Sequence, residues 1–289
     1  MTQPVILIVG SLHYDIMVEA DHLPRRDETA IGRRWYPKFG GKGGNQAVAA
    51  ARQGVPARML GAVGHDDFGR FLRAGLQKGG VDADFVRDVP GTGSGMSVAI
   101  QDAAGDYAAT IVSGANLMID ADWLADPALW QGVEALILQN EVPEATNLAA
   151  ATAARVRGIR TILNAAPFRP LSPAFAALVD VLVVNAVEAE MMGTPGVSSL
   201  TSAAIAAGTL AERFSAVIVT AGSAGLAASS AEGEFALPAH KVDVVSSHGA
   251  GDCFVGAFAA ALVNGDSFRE ACAKASQAAA WHVAGRSPT

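Results

Sequence analysis

The segment around Asp252 contains the residues needed to move a proton beside a bound anion. In Val244–Phe254 an apolar pair leads into small residues and two glycines, after which a helix is predicted. Glycines just before a helix let backbone N–H groups converge on an anion, and the helix N-terminus adds about half a positive charge. Asp252 falls in the first turn, where it could accept a hydroxyl proton while the amides stabilise a transferred phosphoryl group. A simple capping carboxylate would occupy the same position, so the segment alone leaves both interpretations open.

A second glycine-rich segment lies at 39–54, with four glycines among residues 40–44. These glycines permit close approach of the backbone to a ligand, and Gly54 suits the end of the helix predicted after them. The segment is not a Walker loop, because Lys42 is not followed by Ser or Thr. The first predicted strand is followed by Gly10–Asp15 and not by a dinucleotide-binding GxGxxG, which argues against a nicotinamide dehydrogenase.

Short apolar runs alternate with helical patterns along most of the chain. Strands are predicted at Val5–Val9, Arg58–Val63, Ala135–Leu138, Thr161–Leu163, Val181–Val184 and Ala216–Val219, and helices at about 43–53, 66–78, 145–157, 198–213, 251–263 and 266–283. Near-continuous apolar strands between helices indicate a mostly parallel sheet covered on both faces, an α/β fold. We expect one domain over residues 1–289.

Two stretches, about 15–36 and 94–112, break this alternation. Residues 96–100 and 107–112 are separated by the turn-like segment 102–106, which is typical of a hairpin. These stretches predict a small antiparallel sheet that forms a lid, or alternatively an extension of the main sheet at its edge.

Polar residues follow four of the predicted parallel strands. They are Gln139–Glu141, Asn164, Asn185 and Thr220. Ligands of open α/β sheets bind outside the carboxyl ends of the strands. The sequence therefore predicts a site along that edge.

Composition excludes several other classes of protein. The chain of 289 residues is 51% hydrophobic and 17% charged, which suits a folded domain with a sizeable core. A net charge of −7 argues against a broad nucleic-acid-binding surface. Two cysteines, Cys253 and Cys272, form neither a CxxC pair nor a disulfide pattern, and the apolar run at 5–9 is too short for a membrane span. We expect a soluble, cytoplasmic protein that does not bind membranes.

Six segments together resemble the ribokinase-like (PfkB-type) carbohydrate kinases. The two signature regions are Gly40–Ala49 and Gly249–Asp252. Four further segments match in the family's order: Gly10–Asp15, Leu138–Glu141, Asn185–Glu190 and Thr220–Gly225. The resemblance runs from about residue 4 to the end of the chain.

The resemblance implies a three-layer αβα fold with a β lid and transfer of the ATP γ-phosphoryl group, with Mg²⁺, to a sugar or nucleoside hydroxyl. It makes Asp252 the base, with Gly249, Ala250 and Gly251 forming the anion hole. The implied substrate contacts are Asp15, His13, Gly41, Lys42, Asn45 and Glu141. The implied nucleotide contacts are Asn185, Thr220, Gly222, Gly225 and Ser276. Glu188 would bind Mg²⁺ through water. The residue patterns also allow plainer roles, above all a helix cap formed by Asn185 and Glu188.

Two segments depart from the family pattern. Ser246, Ser247 and His248 stand where the family usually has Asp-Thr-Thr. In members with a monovalent-cation site, that Asp and the second Thr help to bind potassium, so the sequence does not decide whether K⁺ is bound here. His13 and Tyr14 alter the sugar-binding turn, where ribokinase has an Asn two residues before the Asp.

The function predicted from the sequence is phosphorylation of a hydroxymethyl group of a small carbohydrate, ribose or a related sugar. The alternatives are a nucleoside kinase of the same fold and a catalytically weak sugar-binding regulatory protein. Pairing of lid segments between subunits would give a homodimer.

Overall fold

The computed structural model describes residues 3–104 and 106–286. The strands are β1 (Val5–Val9), β2 (His13–Ala20), β3 (Gly32–Gly40), β4 (Ala57–Gly64), β5 (Val81–Asp82), β6 (Val86–Val89), β7 (Met96–Gln101), β8 (Tyr107–Val112), β9 (Val133–Gln139), β10 (Arg160–Asn164), β11 (Val181–Asn185), β12 (Val217–Thr220), β13 (Gly225–Ser230) and β14 (Gly233–Pro238). The α-helices are α1 (Lys42–Ala51), α2 (Asp67–Lys78), α3 (Glu144–Val156), α4 (Pro173–Ala176), α5 (Ala186–Met191), α6 (Leu200–Ala211), α7 (Ala250–Val263) and α8 (Phe268–Val283).

A large, mostly parallel sheet forms the centre of the protein. Its order is β14-β13-β12-β11-β10-β9-β1-β4-β5, and β6 pairs with the second half of β4. All neighbours from β5 to β12 are parallel, whereas β13 and β14 join as an antiparallel hairpin. The six strands predicted from the sequence are all present in this sheet, and the predicted fold class is confirmed.

The alternation of side chains along each strand builds two cores. On β1, Ile6 and Ile8 pack on one face of the sheet with α1, α7 and α8. Leu7 and Val9 pack on the opposite face with α3 and α6. Successive residues of a strand point to opposite faces, so a run of five apolar residues serves both helical layers.

A second, smaller sheet has four strands in the order β3-β2-β7-β8. Its strands fall within or close to residues 15–36 and 94–112, the two stretches that interrupt the alternation of strands and helices in the sequence. The sheet is not an extension of the main sheet. It is also not purely antiparallel, because β2 and β7 run parallel. We call this sheet the lid.

Helices α1 and α7 touch at their backbones. A Cβ at Gly256 of α7 would lie 2.5 Å from the carbonyl oxygen of Gln46 and 2.8 Å from the amide nitrogen of Ala50, both on α1. Only a residue without a side chain allows this approach. The contact brings the first turns of the two helices together, and both turns contribute to the site described below.

We predict that Gly256→Ala destabilises the fold although alanine is the better helix former. The clash with the α1 backbone should outweigh the gain of about 1 kcal/mol in helix propensity and lower the free energy of unfolding by about 1–3 kcal/mol. The matched control is Gly208→Ala in α6, where the nearest atom to a new Cβ is a flexible glutamate oxygen at 3.7 Å. Urea denaturation should show opposite signs for the two variants, and equal stabilisation of both would contradict the packing argument.

Candidate active site

The carboxyl ends of the parallel strands and the N-termini of α1 and α7 meet at one edge of the sheet. Asn164 is in register with Gln139 on the neighbouring strand, and Asn185 is in register with Thr220. Gln139 and Asn164 are buried, although both are polar. The polar strand ends predicted from the sequence therefore lie side by side.

Asp252 is a buried carboxylate at this edge. Its Oδ2 accepts a hydrogen bond from Asn45 Nδ2 at 3.1 Å, and its Oδ1 accepts one from Gln46 Nε2 at 3.0 Å. Burial raises the pKa of Asp252 above the ordinary value for aspartate, while the charge of Lys42 and the two hydrogen bonds oppose that rise. Asp252 lies in the first turn of α7, where the helix dipole favours a carboxylate, but among the described residues its donors are the side chains of Asn45 and Gln46 and not the amides of its own helix.

The amides at the start of α7 lie directly before this carboxylate. Gly249 is the N-cap residue in the left-handed conformation, with φ of 80°. The N–H of Ala250 donates to the carbonyl oxygen of Ser247 at 3.3 Å. Within the described chain, the N–H groups of Gly251 and Asp252 have no backbone acceptor. This turn can therefore offer N–H groups to an anion.

The glycine loop before α1 is fitted closely around the turn after β1. Gly41 has φ of 86°, and a Cβ there would lie 2.7 Å from the backbone nitrogen of His13. The N–H of Gly44 donates to the carbonyl oxygen of Ser11 at 3.0 Å. Glu141 Oε2 accepts from the amide of Lys42 at 2.9 Å and from the hydroxyl of Ser11. Glu141 thus anchors the loop as well as facing the site.

His13 is buried beside this anchor. Its Nδ1 lies 3.9 Å from Glu141 Oε2. Its Nε2 has no hydrogen-bond partner in the described part of the chain. Gly95 leaves room for the ring, since a Cβ there would lie 2.7 Å from His13 Cδ2. A buried ring nitrogen without a partner suits a ligand hydroxyl.

Asp15 lies on the same face of the lid strand β2 as His13. It is buried and accepts a hydrogen bond from the hydroxyl of Ser97 on β7. Burial raises the pKa of Asp15, against the lowering effects of the Ser97 hydrogen bond and the charges of His13, His248 and Lys38. These groups connect the lid electrostatically with the segment before α7.

Asn185 and Glu188 form a complete capping box at the start of α5. Asn185 Oδ1 accepts from the amide of Glu188 at 2.9 Å, and Glu188 Oε2 accepts from the amide of Asn185 at 2.9 Å. The local cap that the sequence allowed is therefore present. Burial raises the pKa of Glu188, Lys42 lowers it and Asp252 raises it, so this carboxylate also belongs to the charge cluster around Lys42.

The predicted nucleotide-binding residues are less tightly grouped. Thr220 ends β12, and its hydroxyl donates to the carbonyl oxygen of Val184 at 3.4 Å. Gly222 has open space around it, whereas a Cβ at Gly225 would lie 2.1 Å from the carbonyl oxygen of Leu237 on β14. The hairpin packing therefore explains Gly225 without a ligand. Ser276 is half-buried in α8, and its hydroxyl has no hydrogen bond within the described residues.

The sequence did not identify several side chains that hold the site together. Gln46 donates to both Asp252 and Asn164, at 3.0 and 3.1 Å, and Ser11 and Ser97 donate to Glu141 and Asp15. The only sequence signal for Gln46 was its place in the second glycine-rich segment. The serines lie in and beside the lid strands, where no local pattern marks them as donors to distant carboxylates.

A cavity of about 260 Å³ adjoins this cluster at Asn45. Lys38, Arg52, His248 and Gly249 contribute to its wall. Two larger cavities, around Trp130 and around Arg160, are lined by residues at the amino ends of β9 and β10. Neither of the larger cavities contains any of the carboxylates described above.

The described residues contain no group of three or more His, Cys, Asp or Glu side chains placed to hold a metal ion directly. The fit to Mg²⁺ therefore rests on the buried carboxylate of Glu188 near that of Asp252. Mg²⁺ usually keeps several waters and binds one or two carboxylates together with substrate phosphates, so such a pair suits it. In residues 3–104 and 106–286 no helix is long and apolar enough to cross a membrane.

Comparison with known proteins agrees with this geometry. The family model "pfkB family carbohydrate kinase" matches residues 4–289. Ribokinase of Mus musculus is 34% identical over 259 residues, covering 88% of this chain and 80% of that protein. Deoxyribokinase of Salmonella typhi is 32% identical over 286 residues, covering 97% of this chain and 93% of that protein.

The fold is similarly close to a solved structure. Arabidopsis thaliana ribokinase, complexed with ribose and ATP, superposes with a TM-score of 0.90 at 29% identity, covering 98% of this chain and 93% of that one. The sequence motifs, the three-layer fold and the buried carboxylate at a helix N-terminus agree with these matches. The chain belongs to the pfkB family of carbohydrate kinases.

Proposed function

We propose that this protein is an ATP-dependent kinase that phosphorylates the hydroxymethyl group of ribose or a closely related sugar. The observation that carries the proposal is the buried carboxylate of Asp252, held by Asn45 and Gln46 beside open helix amides. Relatives named ribokinase and deoxyribokinase align over most of the chain, which supports a pentose acceptor.

Asp252 is the base in this proposal. Its raised pKa makes it a stronger proton acceptor than an ordinary aspartate, while the charge of Lys42 and the hydrogen bonds from Asn45 and Gln46 favour its ionised form. The acceptor hydroxyl gives its proton to Asp252 and attacks the γ-phosphorus in line, while the bond from that phosphorus to the bridging oxygen of ATP breaks and ADP leaves. The amides of Gly249, Ala250 and Gly251 then stabilise the charge of the phosphoryl group, that of Ala250 in exchange for its long 3.3 Å hydrogen bond to Ser247.

The side chains around the acceptor would fix its orientation. Asp15, His13, Asn45 and Glu141 present carboxylate, imidazole and amide groups to sugar hydroxyls, and Gly41 and Lys42 line the floor. Hydroxyl recognition by buried polar groups discriminates strongly, because a missing hydroxyl leaves its partner unpaired. The ring of His13 is therefore proposed to set selectivity among related sugars.

ATP would lie along the strand ends formed by Asn185, Thr220 and Gly222, with Gly225 and Ser276 nearby. Glu188 would hold Mg²⁺ through water. When bound, Mg²⁺ neutralises charge on the phosphate oxygens. Cytoplasmic location remains a prediction from the sequence.

A nucleoside kinase is the second candidate, favoured by one feature of the lid. Tyr36 and Ile111, on the same face of the lid as Asp15, are 38% and 57% exposed. Such apolar surface beside the sugar position would accommodate a base. ATP consumption across a panel of pentoses, hexoses and nucleosides separates the candidates. If sugars shift the melting temperature but no substrate is phosphorylated, a sugar-binding regulatory protein replaces both.

We further propose that two chains associate through their lids. On the edge strands β3 and β8, the side chains of Trp35 and Val112 are 64% and 52% exposed. Tyr36 and Ile111, described above, lie on the same two strands. Exposed apolar side chains on an unpaired sheet edge favour association.

A charge placed on the lid should shift this association toward the monomer. We expect Ile111→Arg to weaken dimerisation at least tenfold in sedimentation velocity experiments. Ile205→Arg in α6 is the control, because Ile205 is 55% exposed but lies outside the lid. A wild-type protein that sediments as a monomer at micromolar concentration would remove the dimer proposal.

Replacing the proposed base should remove most of the catalysis. We expect Asp252→Asn to lower kcat by about 10²–10⁴, the usual contribution of a positioned acid–base group, while the Kd for the sugar changes little. Asp88→Asn, on the far edge strand β6, should leave kcat unchanged. Near wild-type turnover by Asp252→Asn would refute the assignment.

The pH profile should report the hydrogen bond from Gln46 to Asp252. Gln46→Leu removes a donor to the ionised carboxylate, so the pKa of Asp252 rises further and the acid limb of kcat/KM moves to higher pH. A lost bond to a charged group corresponds to about one pH unit. Gln77→Leu, exposed on α2, should leave the limb in place, and an unshifted limb in Gln46→Leu would show that Asp252 is not the titrating base.

A further inference from the structure

The segment 245–249, which leads into the proposed anion hole, is held by the end of α8. The amides of Val245 and Ser246 donate to the carbonyl oxygen of Val283, at 2.9 and 3.2 Å. One helical residue earlier, His282 Nε2 lies 2.9 Å from the carbonyl oxygen of His248. A carbonyl oxygen only accepts hydrogen bonds, so His282 Nε2 carries the hydrogen and the imidazole is the donor.

Gly249 makes this contact possible. A Cβ at Gly249 would lie 3.2 Å from His282 Nε2, and the residue has φ of 80°. Both facts favour glycine at the junction between the loop and α7. The imidazole therefore approaches the backbone where the loop becomes the helix.

The bond to the His248 carbonyl also fixes the amide that follows it. In a planar trans peptide, the C=O and the next N–H point in opposite directions. An imidazole that holds the C=O of His248 therefore directs the N–H of Gly249 away from α8. A hydrogen bond to the C=O of a peptide also polarises its N–H, which makes that N–H a stronger hydrogen-bond donor.

The same loop does not fit a potassium ion. Potassium is held by a shell of oxygen atoms, as in rings of backbone carbonyls. In this chain Ser246 stands where the family usually has the first Asp of Asp-Thr-Thr. The Ser246 hydroxyl accepts a hydrogen bond from the amide of His248 at 3.3 Å. The carbonyl of His248 faces an N–H donor, and that of Val283 receives two amides. The oxygen atoms of Ser246, His248 and Val283 therefore already accept hydrogen bonds from side-chain and backbone donors, where a potassium site would need them as ligands.

From these contacts we infer that His282 is a positioning residue which orders the anion hole in place of a monovalent cation. The protein then phosphorylates its acceptor without K⁺. The inference rests on the proposed function, because that function assigns the amides of Gly249, Ala250 and Gly251 to the transferred phosphoryl group.

The cation dependence of the wild-type enzyme is the first test. Initial rates are measured at constant ionic strength in KCl, NaCl and tetramethylammonium chloride. We expect kcat to agree within about twofold among the three salts. A fivefold or greater activation by K⁺ would overturn the inference.

The second test is the pair of variants His282→Ala and His282→Gln. We expect His282→Ala to lower kcat about tenfold, the effect of one lost hydrogen bond, with the Kd for the sugar unchanged. His282→Gln keeps an N–H donor and should recover most of kcat. His65→Ala, an exposed histidine after β4, is the control and should behave as wild type. Equal loss in both His282 variants, or wild-type kcat in His282→Ala, would overturn the positioning role.

A binding measurement separates this inference from the proposed function. The affinity for the nonhydrolysable ATP analogue AMP-PCP is measured by calorimetry for wild type, His282→Ala and His282→Gln in each salt. Weaker binding by His282→Ala alone supports the inference even if no sugar on the panel is phosphorylated. Tighter binding by the wild type in KCl than in tetramethylammonium chloride would contradict it. Circular dichroism melting of each variant shows whether the fold is retained.

Discussion

The backbone contact between α1 and α7 is the constraint on which the site depends. Gly256 lets α7 approach the backbone of α1 directly, which places Gln46 against the first turn of α7. Asp252 then receives both of its side-chain hydrogen bonds from neighbouring residues of α1. The glycine loop that would hold the acceptor and the carboxylate that would take its proton therefore belong to one packed unit. Such rigidity matters because a misplaced base loses most of its effect.

That packing also decides the electrostatics of the site. Lys42 lowers the pKa values of both Asp252 and Glu188, whereas Glu141 raises that of Asp252. Asp252 and Glu188 thus share the charge of Lys42 in a largely buried region, and Glu141 adds a further negative charge near Asp252. The excess negative charge favours a divalent cation among them and makes Asp252 a better base. A second lysine would relieve the repulsion, but it would also lower the basicity on which proton transfer depends.

The sequence predicted the parts of this protein that depend on local pattern. Runs such as Val5–Val9 show which strands are buried on both faces, and the Asn185–Glu188 spacing shows a cap that the structure contains. Strands β13 and β14 went unpredicted because small residues such as Ala227 and Ala228 give no clear alternation of apolar and polar side chains. Gln46 and His282 make their decisive contacts with residues 206 and 34 positions away in sequence. No local periodicity records contacts of that kind, since tertiary packing creates them.

Several of the buried polar groups that the fold leaves without partners lie where the acceptor is proposed to bind. Among the described residues, His13 Nε2, Gln46 Oε1 and both side-chain polar atoms of Asn140 are buried and lack a hydrogen bond. An unsatisfied buried polar atom costs about 1–3 kcal/mol, so a hydrophobic side chain at these positions would give a more stable protein. Their common location at the carboxyl edge of the sheet agrees instead with the proposed role in binding the acceptor. A ligand that supplies the missing hydrogen bonds recovers this free energy on binding, whereas an analogue without the matching hydroxyl does not. The free-energy cost of these unpaired groups and the proposed selectivity for the acceptor would thus have the same physical origin.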